Sequence, residues 1–189
     1  CYEKVTKNIA PQRLSITKNL QIGPTLGETA KEILGKEFAH KVEDFISQFK
    51  YEYDQILLSQ SNAYNGVNKL LKELKFRGNK IAIATNKREE PTLKIIEHLQ
   101  WGNYFNWVAC LNPENKAIKN KSELVKSILT NEIDFHESFF VGDTLNDAIC
   151  AKENGLKFIK ASYGYSEKTG WDDINIYQEI LEPINILEI

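Results

Sequence analysis

From Gly66 to Ala161, short apolar runs alternate with amphipathic stretches, and few architectures accept that pattern. The runs are Ile81–Thr85 (IAIAT), Trp107–Leu111 (WVACL) and Phe139–Val141 (FFV), and Lys157–Ala161 (KFIKA) reads as one more strand. Continuous apolar runs of this length suit buried strands of a parallel sheet covered on both faces. Helical stripes lie between them. Val67, Leu70, Leu71 and Leu74 stop at Gly78; Leu93, Ile96 and Leu99 end near Gly102; Leu124, Val125, Ile128 and Leu129 precede the third run. Pro91 suits a first helical position, and Glu89 and Glu90 favour the N-terminus they sit beside. The alternation predicts an α/β fold built on a doubly wound parallel sheet.

Residues 1–63 carry a different pattern. Leu26, Ala30, Ile33 and Leu34 form one amphipathic segment, closed by Gly35. Phe38, Val42, Phe45, Ile46 and Phe49 form a second, and Tyr53, Ile56 and Leu57 suggest a final helix. Leu14 and Ile16 lie on a less regular stretch. No strand-like run occurs here, so the expected organisation is an all-helical unit over 1–63 and an α/β unit over 64–189. The change of character at Ala63–Gly66 marks the hinge.

Bulk properties exclude several classes. With a formal charge of −2 there is no basic excess for general nucleic-acid binding. Lys72, Lys75, Arg77 and Lys80 read as a solvated helix end. No apolar run approaches the ~18 residues of a membrane span. Cys1, Cys110 and Cys150 lack metal-type spacing and read as reduced thiols of a cytoplasmic protein.

The chemistry concentrates at strand ends, where open α/β sheets bind ligands. In VGDTLNDAICAKENGL (Val141–Leu156), Gly142 permits a sharp turn, and Asp143 and Asp147 fall between a strand and a helix. The small residues Ala148 and Ala151 then mark one helix face, which Gly155 ends. Two acids placed so suggest a hard cation such as Mg²⁺ serving a phosphate, while helix capping alone also accounts for an acid pair. An EF-hand is excluded, because Ala148 stands where that loop needs glycine. Thr85, followed by Asn86 and Lys87, offers a hydroxyl and backbone N–H groups to phosphate oxygens, or an ordinary turn. Lys121 opens the Leu124–Leu129 helix and could bring a point charge to a phosphate and a carboxylate. Lys119 is its rival, and a solvated surface role suits either.

The order hydroxyl after strand, lysine at a helix start, GDxxxD after strand resembles the haloacid dehalogenase superfamily, and its phosphoglycolate-phosphatase-like branch in particular. IAIATNK resembles the second family motif, Lys121 in KSELVKSIL the third and VGDTLNDAICAKENGL the fourth. Ile22–Gly35 (IGPTLGETAKEILG) is similar to the branch's helical cap, and Tyr64–Leu74 to the segment re-entering the core. The resemblance implies a Rossmann-like core with a helical cap and a Mg²⁺-dependent phosphatase acting on a small phosphorylated metabolite through an aspartyl-phosphate. It implies that Thr85, Asn86 and Lys121 bind phosphate. It makes Asp143 a metal ligand, and gives Asp147 the metal or the orientation of Lys121.

The family's first motif, a strand ending in DxDGT that carries the nucleophile, has no counterpart here. Asp172–Asp173 lacks the Gly-Thr, and CYEKVTKNIA resembles the helix after that motif. The chain contains no Met, and the expectation is a further ~15–25 N-terminal residues, one strand and a loop. That strand would lie between Ile81–Thr85 and Phe139–Val141. The alternatives are a scaffold protein without the nucleophile, a phosphomutase on the same plan, and a metal-free dehalogenase, which the acid pair disfavours. Thr25, Leu26 and Glu28 are candidates for a cap loop facing substrate, or for packing.

Overall fold

A computed structural model describes residues 1–20, 23–112, 117–118, 120–129, 137–165 and 170–189. Contacts divide the chain into two compact units, Cys1–Ser61 and Asn62–Ile189.

The first unit contains only helices among its described residues. Helix α1 (Tyr2–Ile9) leads into a 3₁₀ stretch, Pro11–Asn19, and then α2 (Leu26–Leu34), a short 3₁₀ turn and α3 (Val42–Gln60). The stripes seen in sequence meet as one core. Val5, Ile9, Ala10, Ala30, Ile33, Leu34 and Phe45 are buried together, with Phe38, Val42, Ile46 and Phe49 packed around them. Helix α2 starts at a capping box: Thr25 Oγ1 accepts from Glu28 N at 3.3 Å, and Glu28 Oε2 accepts from Thr25 N at 2.8 Å. Capping therefore accounts for Thr25 and Glu28; Ile22, which opens the cap-like segment, lies outside the described residues. The final helix expected around Tyr53–Leu57 is not separate. It continues α3 for 19 residues, since no Gly or Pro interrupts Val42–Gln60.

The second unit alternates as expected: α4 (Val67–Phe76), β1 (Ala82–Thr85), α5 (Glu89–His98), β2 (Trp107–Cys110), α6 (Lys121–Leu129), β3 (Phe139–Gly142), α7 (Leu145–Glu153) and β4 (Lys157–Ala161). A fifth strand, β5 (Gln178–Ile180), has no sequence signal, because Ile180 is its only apolar residue. All strand pairings are parallel. Among the described residues they form two sheets, β1–β2 and β3–β4–β5. Helices α6 and α7 join the sheets: Ala84 of β1 and Phe140 of β3 both pack on Val125, Leu129 and Cys150.

Among the described residues, β1 and β3 each form a ladder along one edge only, and this corrects two expectations. Phe139–Val141 is not fully buried. Phe140 faces the helices, while Phe139 and Val141, on the opposite face, are each 39% exposed. Ile81–Thr85 is likewise half-covered, with Ala82 exposed. By contrast β4, paired on both sides, buries Phe158, Ile159 and Ala161. Leu93 also differs from expectation. Helix α5 starts two residues before Pro91 and turns Thr92 and Ile96 inward, leaving Leu93 exposed.

Candidate active site

The site is built from the end of β3. Gly142 is the last strand residue, and its missing side chain makes room for Asp147. A Cβ there would come within 2.7 Å of Asp147 Cγ and 2.8 Å of Oδ2. Gly142 has no positive φ, so space and not backbone conformation demands the glycine. Thr144 then caps α7. Its Oγ1 accepts from Asp147 N at 3.2 Å, and Asp147 Oδ2 accepts from Thr144 N at 3.1 Å and Oγ1 at 2.8 Å. Asp143 N lies 3.3 Å from the same oxygen. The other oxygen, Asp147 Oδ1, accepts from Lys121 Nζ at 2.6 Å.

Asp147 therefore does two things at once. It closes the helix cap and fixes the ammonium of Lys121, with its own side chain only 6% exposed and that of Lys121 19%. Such a pair, largely out of water, holds its geometry because each charge would be costly to leave unmatched. Asn154, near the end of α7, braces the arrangement. Its Nδ2 donates to Ser122 O at 3.2 Å, Ser122 Oγ at 2.9 Å and Cys150 O at 2.9 Å, tying the two helices together one residue from Lys121. Beneath the pair, burial pushes the Cys150 thiol up to about 11, and the Lys121 charge opposes the rise only in part.

The Asp143 carboxylate stands apart from that network. Its Oδ2 accepts from Tyr165 N at 2.7 Å, and among the described residues Oδ1 accepts no hydrogen bond. Around it stand tyrosines. The rings of Tyr64 and Tyr163 meet edge to face at 5.1 Å. Burial raises both phenols, and the Asp143 charge adds to the rise in each.

Thr85 ends β1, with Asn86 next in the chain. Thr85 Oγ1 accepts from Lys87 N at 3.1 Å, the hydrogen bond of a turn, and the preceding Ala84 packs on the α6–α7 cluster. Of the sequence candidates, Lys121 and Asp147 touch directly, Asp143 meets Asp147 through its backbone N–H, and Thr85 and Asn86 sit at the end of the neighbouring ladder. Lys119 lies outside the described residues. Sequence reading passed over Thr144, although T-x-x-D before an apolar helix carries the capping signature. It also passed over Tyr165 and Asn154, which local patterns do not reveal because their partners are 22 and 32 residues away.

Among the described residues no three His, Cys, Asp or Glu side chains cluster as a metal cage. Asp143 nonetheless offers one hard oxygen that accepts no hydrogen bond among the described residues, a donor of the kind Mg²⁺ takes alongside water and phosphate.

The family model for haloacid dehalogenase-like hydrolases matches residues 2–161. The chain belongs to that family. Among relatives of this haloacid dehalogenase-like chain, a phosphoglycolate phosphatase from Nitrosospira multiformis is 31% identical over 119 residues, covering 63% of the chain and 52% of the relative. Phosphoglycolate phosphatase 1 from Pseudomonas aeruginosa is 27% identical over 150 residues, covering 75% and 55%. The alignments thus span about half the length of these curated relatives. The fold agrees with a solved structure of a predicted phosphoglycolate phosphatase from Haemophilus somnus, at a TM-score of 0.82 and 20% identity, over 99% of this chain and 87% of that one. The fold class is that of the family: a Rossmann-like α/β core with a helical cap.

Proposed function

We propose that this chain supplies the phosphate- and metal-binding part of a Mg²⁺-dependent phosphatase, phosphoglycolate-phosphatase-like, that hydrolyses a small phosphate monoester. The observation that carries the reading is the Lys121–Asp147 pair, at 2.6 Å and largely buried, beside an Asp143 whose Oδ1 accepts no hydrogen bond among the described residues. In this reading the Thr85 hydroxyl, with Asn86 beside it, binds phosphoryl oxygens. Lys121, held by Asp147, neutralises charge that builds on the phosphoryl group and its attacking carboxylate. Asp143, with Asp147 in support, would hold Mg²⁺, which when bound supplies further neutralisation of the same oxygens.

The attacking carboxylate is the remaining requirement. Its place in this proposal is a further strand between β1 and β3, each of which has one edge outside any ladder among the described residues. The carboxylate oxygen would bond to phosphorus as the ester P–O bond breaks, and the leaving alkoxide would take a proton from a second acid expected on the same strand, which regains a proton from the water that follows. Water would then cleave the aspartyl-phosphate to free phosphate and restore the carboxylate.

The test is phosphate release from a panel of small monoesters, 2-phosphoglycolate among them, by protein expressed from its complete reading frame. Turnover that requires Mg²⁺ and stops in EDTA supports the reading. Turnover unaffected by EDTA, or none across the panel, contradicts it.

A further inference from the structure

A second glycine shapes the site from a distance. After β4 the chain turns through Ser162, Tyr163, Gly164 and Tyr165 and comes back over Asp143. The turn is tied down twice by its backbone: Ser162 N donates to Ile180 O at 3.0 Å, and Gly164 N donates to Ala161 O at 3.1 Å. The ring of Tyr163 packs on that of Tyr64. From this fixed frame the Tyr165 N–H reaches Asp143 Oδ2 at 2.7 Å. A Cβ on Gly164 would come within 2.6 Å of Asp143 Cβ and 2.7 Å of its Cγ. These are not contacts with the tip of a flexible chain, so they could be relieved only by moving the aspartate or the turn. Gly164 has no positive φ, so alanine is acceptable to its backbone. The nearest obstacle is Asp143.

We infer that Gly164 and the Tyr165 N–H are positioning residues for Asp143: the close-packed turn and its single hydrogen bond commit one carboxylate oxygen and leave the other for a cation. The inference rests on the proposed metal role of Asp143. It explains why a loop more than 20 residues downstream is built against this one acid. A backbone N–H fixes carboxylate orientation without adding a charge of its own, and a glycine lets the backbone approach closely enough to provide it.

Two measurements test it on protein expressed from the complete reading frame. The first is the Tyr165 amide resonance in ¹H–¹⁵N spectra of wild type and Asp143→Asn. It is expected to lie downfield in wild type and to move upfield in the variant, because a carboxylate acceptor is lost. An unmoved resonance overturns the inference, whether or not any glycine variant folds. The second is tyrosine-sensitised emission of Tb³⁺, a Mg²⁺ surrogate, in wild type, Asp143→Asn, Gly164→Ala and Tyr165→Phe. Gly164→Ala should weaken Tb³⁺ binding about 10–100-fold, the usual range for residues that orient a metal ligand. Tyr165→Phe keeps the backbone donor and should bind like wild type. Wild-type affinity in Gly164→Ala overturns the inference and leaves the metal reading standing. Absent saturable emission in wild type, or full affinity in Asp143→Asn, removes the metal reading and this inference with it.

Discussion

Asp147 accepts hydrogen bonds on both oxygens, from the Lys121 ammonium on one side and the Thr144 cap on the other. Removing it leaves Lys121 without its counter-charge and α7 without its cap. Breaking a buried pair from one side costs about 3–5 kcal/mol, and the partial exposure of Lys121 lowers that to about 2–4 kcal/mol for Asp147→Ala. Urea unfolding followed by circular dichroism measures it; a loss under about 1 kcal/mol would mean the pair carries little. Cys150 gives a second prediction. Its thiol is pushed up to about 11 by burial, above an ordinary value near 9. The native state thus keeps this proton longer than the unfolded state, and stability falls as pH rises. The stabilisation is full below pH 9 and is lost between pH 9 and 11. Urea midpoints of wild type should therefore drop more steeply over that window than those of Cys150→Ala; parallel curves would contradict it. At pH 8 the same buried thiol should resist a thiol reagent until the chain unfolds, whereas Cys1 should react at once.

Strand position decides which elements hold firm. β4 has partners on both sides, and its Ile159 is fully buried. β1 and β3 each belong to a ladder on one side only among the described residues. In hydrogen exchange of the 189-residue chain, which lacks the strand proposed between β1 and β3, the amides of β4 should be the slowest, with β1 and β3 opening at lower free energy. Equal protection across all five strands would contradict this. The same asymmetry explains what the sequence made legible. Lys157–Ala161 reads as a strand and forms one, paired on both sides, with Phe158, Ile159 and Ala161 buried. Phe139–Val141 reads as a buried strand yet leaves two side chains exposed, since an apolar run carries no record of which faces are covered. Thr85, Lys121, Asp143 and Asp147 were readable because each follows a strand or opens a helix in family order. Gly164 and Asn154 act across more than 20 residues, and periodicity does not register such contacts. β5 was missed for want of apolar residues, and it is held by its parallel pairing with β4.

Each of the two units has its own buried core. Phe45 is central to the first, fully buried among Val5, Ala30, Ile33 and Leu34. The second is organised around α6, α7 and β4. Phe45→Ala should cost about 3–5 kcal/mol by cavity formation. If the units are energetically separate, hydrogen exchange should speed up across Cys1–Ser61 while β4 keeps its protection. Uniform loss across the chain would show a single cooperative unit instead. No helix among the described residues is long and apolar enough to cross a membrane. At this scale the α/β unit brings Lys121, Asp143 and Asp147 together at the ends of strands and helices, and the functional account depends on their acting with Thr85 as one site. The most direct test is phosphate release in Mg²⁺ from one monoester, by protein of the complete reading frame, in wild type, Thr85→Ala, Lys121→Ala and Asp143→Asn. The account predicts that each variant remains folded and loses about 100-fold or more in kcat, as when a group that stabilises transition-state charge is removed. Turnover at the wild-type rate in Lys121→Ala and Asp143→Asn would contradict it.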